Sequence, residues 1–95
     1  MPYVRLSIAT PRRGEEQPAR DLMKQITDAS RLQPGCQASY LLQPTDGSSD
    51  VARIAIYDDE AAAGRAANMQ QFLALHSELH LVIEAGHVER AFTAI

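Results

Sequence analysis

Ninety-five residues with 45% hydrophobic and 22% charged side chains describe one ordinary globular domain, 1–95, with a single core. A formal net charge of −3 argues against non-specific nucleic-acid binding, which needs a basic surface. The one cysteine, Cys36, rules out an internal disulfide and fits a cytoplasmic protein; no apolar run is long enough to span a bilayer, and the first residues lack the basic-then-apolar layout expected of a signal peptide.

In chain order, "YVRLSIAT" (3–10) alternates and is rich in β-branched residues, which predicts a strand. "PRRGEEQP" breaks the pattern and reads as a solvated loop, placed to act as a lid in an antiparallel barrel. From Pro18 to about Leu32 the spacing of Ala19, Leu22, Met23, Ile26 and Ala29 predicts a surface helix with one buried stripe. Pro18 suits its first turn, and "QPG" stops it. "CQASYLLQ" (36–43) and "VARIAIYD" (51–58) read as a hairpin around the turn residues Asp46-Gly47. Residues 60–85 are helical by composition, capped by Asp58 or Asp59, with a break expected near Asn68 and a stop at Gly86. "HVERAFTAI" (87–95) is a fourth strand.

The order β-α-β-β-α-β is the ferredoxin-like one, an α+β fold in which two helices cover one face of a four-stranded antiparallel sheet. Strands one and three are expected as central neighbours. The other face then needs a partner or a ligand, and a second copy is the simplest partner. With Val4, Leu6, Ile8, Ile54 and Ile56 placed toward the helices, Arg5, Ser7, Arg53 and Tyr57 point to the open face, where a bulge would reverse the assignment. Two adjacent arginines there either pair with an acid such as Glu89 across a dimer interface or bind an anionic or enolisable small molecule. Tyr57 and Tyr40 add hydroxyl donors and aromatic area.

"HSELH" sets His76 and His80 four residues apart on a helix. The metalloprotease arrangement requires glutamate directly after the first histidine, and Glu78 stands one place too late. A zinc site also wants a third ligand, for which His87, Glu84 and Cys36 are the only guesses, so no metal is expected. His76 shares a stripe with Phe72, Leu75, Leu79 and Ile83, which puts it on the buried side or its edge; His80 lies further toward solvent. Cys36 has no basic residue or helix start placed to lower its pKa. No Walker-type or G-x-G-x-x-G loop supports nucleotide binding.

"PGC" opening strand two, "RIAIYDDEAA" running strand three into the next helix, and "FLALHSEL" after it complete a pattern. Over nearly the whole chain it resembles the antibiotic-biosynthesis-monooxygenase-like family of dimeric α+β barrels. The resemblance implies a homodimer whose sheets meet face to face, with a pocket in each subunit between sheet and helices. Some members of that family oxidise phenolic or quinol-like substrates with molecular oxygen and neither metal nor flavin. It therefore implies a cofactor-independent monooxygenase-like protein for a small aromatic or enolisable substrate. His76 and Tyr57 become the candidate catalytic groups, and Arg5, Ser7, Tyr40 and Arg53 the candidate substrate-binding ones. A haem-degrading branch uses a histidine at the position of His76, beside an asparagine and a tryptophan. This chain has no tryptophan and carries Ser7 where the asparagine is expected, which argues against haem degradation. The alternative is a non-catalytic ligand-binding or dimeric interaction protein of the same fold.

Overall fold

The computed structural model describes residues 1–95, which form β1 (Tyr3–Ala9), α1 (Glu16–Arg31), β2 (Cys36–Leu42), β3 (Val51–Tyr57), α2 (Glu60–Ala67), α3 (Gln70–Val82) and β4 (Val88–Thr93). The strands make one antiparallel sheet in the order β2-β3-β1-β4, so β1 and β3 are central neighbours. This is the expected ferredoxin-like α+β architecture, with the second helix in two pieces.

Local chemistry explains most element ends. α1 begins at Glu16 rather than Pro18; the proline sits within the first turn, where its missing N–H would have had no helical partner anyway. Asp59 caps α2, its carboxylate accepting from the Ala62 N–H at 2.8 Å. The helical region breaks at Asn68 and Met69, the latter extended at ψ 139°. At the far end of α3, Arg12 donates its backbone N–H to Val82 O at 2.8 Å and its Nε to Ile83 O at 3.1 Å. The "PRRGEEQP" loop therefore satisfies the carbonyls that the helix end leaves open, a structural task that its solvated-loop reading missed.

The two sheet faces are the reverse of the expectation. Ala9, Val51, Ala55 and Tyr57 belong to the core that Met23, Ile26, Leu75 and Leu79 complete from the helices. In the same phase Arg5, Ser7 and Arg53 also face the helices, and Val4, Leu6, Ile8, Ile54 and Ile56 lie on the open face. No bulge interrupts β1 or β3, so the correction concerns which face is covered, not the alternation itself. Alanines and serines on the covered side let the helices approach closely. The large aliphatic side chains sit on the side this chain leaves uncovered.

β2 does carry a bulge. Cys36 stands opposite Tyr57 but Ala38 stands opposite Ile56, so Gln37 is the extra residue. Cys36 accordingly faces the helices, while Tyr40, opposite Ile54, is turned to the open face and is 55% exposed.

Candidate functional site

A cavity of about 180 Å³ lies between the covered sheet face and the helices. Arg5 of β1, Arg53 and Tyr57 of β3, Phe72 and His76 of α3, and Glu89 of β4 line it, with Ala63, Ala67 and Leu73 completing the wall. A recess of about 10 Å³ adjoins it, bounded by Ser7, Arg53, His76, His80, His87 and Glu89 among others. Four of the six residues singled out from the sequence, Arg5, Arg53, Tyr57 and His76, thus line one cavity, and Ser7 lines the adjoining recess. Tyr40 does not join them, because the Gln37 bulge places it across the sheet.

Strand register explains the convergence. Ser7 is paired with Arg53 on one side and Glu89 on the other, so these three form a row across β3, β1 and β4. Arg5 follows two residues before Ser7, on the same face and diagonal to Arg53. Ser7 donates its hydroxyl to Glu89 at 3.2 Å.

Arg53 is 7% exposed. Its Nη1 donates to the Ser30 hydroxyl at 3.3 Å, and its Nε has no acceptor. Burial lowers its pKa below the ordinary guanidinium value; Tyr57 and Glu89 oppose the shift, and the charge of Arg5 reinforces it. An arginine stays protonated even so, which leaves a buried, incompletely satisfied cation in the cavity wall.

His76 is half-buried, and its Nδ1 lies 2.9 Å from Phe72 O. A carbonyl oxygen can only accept, so this bond puts a proton on Nδ1, and in the neutral ring the lone pair is then on Nε2. The ring is thus held in place by its own helix. His80 packs edge-on against His87, ring centroids 4.8 Å apart. No group of three His, Cys, Asp or Glu side chains is placed to hold a metal ion. Cys36 donates its thiol to Ala38 O at 3.5 Å, and burial pushes its pKa up, which favours thiol over thiolate.

Three contributors were not singled out from the sequence. Phe72 was read only as core. Glu89 was weighed as a partner across a dimer, whereas register brings it to Ser7 within the chain. Ser30 carried a usable signal: it follows Met23 and Ile26 on the buried stripe of α1, where a polar residue needs a partner.

Residues 2–78 match the family model described as antibiotic biosynthesis monooxygenase. Among solved structures, the chain is similar to Rv0793 from Mycobacterium tuberculosis, with 15% identity, a TM-score of 0.91, and coverage of 100% of this chain and 96% of that one. SnoaB, a cofactor-independent oxygenase from Streptomyces nogalater, shares 21% identity at a TM-score of 0.84, covering 99% and 93%. PA3566 from Pseudomonas aeruginosa shares 19% identity at 0.86, covering 99% and 94%. These likenesses concern the fold. No curated protein matches the sequence significantly.

Proposed function

The chain belongs to the antibiotic biosynthesis monooxygenase family, and from that premise we propose a cofactor-independent monooxygenase acting on a small aromatic, quinol-type or otherwise enolisable substrate held between sheet and helices. The observation that carries this reading is the convergence of Arg5, Arg53, Tyr57 and His76 on one cavity. The likeness of the fold to a cofactor-independent oxygenase supports it.

The proposed chemistry uses this chain's side chains for proton transfer and charge stabilisation. His76 Nε2 takes a proton from the substrate. Arg5 and Arg53, with the Tyr57 hydroxyl, favour the resulting delocalised anion. The anion gives its electrons to molecular oxygen, and a carbon–oxygen bond forms. The resulting hydroperoxide loses water, so that the CH₂ group of an anthrone and O₂ become a carbonyl and H₂O, and a ring C–H of a hydroquinone and O₂ give a hydroxyquinone and H₂O. The open sheet face, aliphatic across β1 and β3, is proposed to pack against a second copy of the chain.

An oxygen electrode tests the reaction with anthrones and hydroquinones as substrates. The expected result is one O₂ consumed per substrate molecule oxidised, with kcat lowered by about 10²–10⁴ in His76→Ala. Uptake at the wild-type rate in that variant removes His76 from the mechanism. Absence of uptake with every phenol tested rejects the oxygenase reading and leaves a ligand-binding protein of the same fold.

A further inference from the structure

The cavity holds more positive charge than its own carboxylates balance. Arg5 and Arg53 sit diagonally on adjacent strands and face the same way. Glu89 is the single acid in the lining, and its hydrogen bond comes from Ser7, not from either arginine. The ion pairs of this chain, Lys24–Asp28 and Arg31–Asp28, are elsewhere, on α1. Arg53 Nε is a buried donor from which nothing accepts, an arrangement that costs free energy until an acceptor arrives. A ligand that brings one negative charge and a planar pair of oxygens answers the charge deficit, because guanidinium and carboxylate match in shape as well as in sign.

Size narrows the class further. The cavity measures about 180 Å³, whereas sites for larger organic ligands run to about 300–1,000 Å³ and an apolar cavity of about 150 Å³ holds benzene. One ring with a short substituent matches that volume. Phe72 and Tyr57 supply aromatic surface against which one ring can pack.

We propose that the site is built for a monocyclic phenolic acid, with the ligand carboxylate on Arg53, its ring beside Phe72 and Tyr57, and its phenol directed to His76. Arg53 is then the residue that determines specificity. This rests on the reading of the cavity as the substrate site and names the substrate class within it.

Calorimetric titration of the wild-type protein with 4-hydroxybenzoate, its neutral isostere 4-hydroxybenzamide, and the bicyclic 6-hydroxy-2-naphthoate tests the proposal without any variant. The acid is expected to bind at least about tenfold more tightly than the amide, the strength of one charge-assisted hydrogen bond. The naphthoate is expected to bind more weakly than the benzoate, and Arg53→Met to abolish the preference for acid over amide. Equal affinity for acid and amide overturns the proposal, as does naphthoate binding as tight as the benzoate's, a preference that survives in Arg53→Met, or no binding by any of the three. The oxygen electrode separates this idea from the reaction it builds on. Acid-selective binding with no oxygen uptake from any phenol supports the site and sinks the oxygenase. Uptake from a neutral hydroquinone, lost in His76→Ala and accompanied by no acid preference, sinks the site and spares the oxygenase.

Discussion

Arg53 has a functional cost that stability measurements can expose. Its guanidinium is withdrawn from water, donates to Ser30, and has an Nε without an acceptor. Buried charges of this kind are often replaced by apolar groups of similar volume with no loss, or with a gain, in stability. Arg53→Met is therefore expected to leave the ligand-free protein as stable as the wild type or more so, by about 1–2 kcal/mol in urea unfolding. A loss above about 2 kcal/mol would instead make the Ser30 contact a structural anchor. At the same scale, His76 shows how one backbone carbonyl, Phe72 O, decides which nitrogen of a ring is free to react. Its helical spacing from Phe72 was visible in "FLALH", so that its half-buried position followed from the wheel. Its hydrogen bond to Phe72 needed the rotamer.

The turn between α1 and β2 controls how closely α2 approaches the sheet. Gly35 has φ +85°, and a Cβ there would lie 2.7 Å from the Ala62 Cβ. Gly47, in the β2–β3 turn, has φ +78° but open space around it. Alanine at position 47 is expected to cost only the left-handed backbone penalty, about 1–2 kcal/mol. Alanine at position 35 adds the clash with α2, for about 2–4 kcal/mol in total. Chemical denaturation of the two variants side by side checks the difference, and equal losses would mean that α2 yields freely. The elements themselves were largely legible because their signals are local: Asp59 caps, Asp46-Gly47 turns, and Asn68 marks the break. The service Arg12 gives to the end of α3 was not, since it joins residues about seventy positions apart.

On the scale of the whole molecule, the uncovered face is the aliphatic one. Leu6 pairs with Ile54 and Val4 with Ile56 at its centre, and Val88 and Phe92 continue it on β4 at 42% exposed each. Arg90 stands between those two on β4, opposite Leu6 and over the Phe92 ring, and the aliphatic patch of β1 and β3 beside it is of a kind seldom left to water. Light scattering at micromolar concentration is expected to give a dimer for the wild type and a folded monomer for Ile54→Glu. In the variant, a carboxylate would have to be buried unpaired against the second sheet. A monomeric wild type would contradict the proposed face-to-face assembly.

Periodicity and turn chemistry within the sequence by themselves determined the order of elements, because helix and strand patterns, caps and breaks act over a few residues. They also grouped Arg5, Ser7, Arg53 and Tyr57 on one face. Which face that was, only the tertiary structure decided: a period of two distinguishes the sides of a strand without saying where the helices land. The same holds for Tyr40, carried across the sheet by one bulged residue, and for Glu89, which reaches Ser7 through the pairing of the first strand with the last. Contacts between distant parts of the chain are set by register and packing, and those exist only once the sheet has closed.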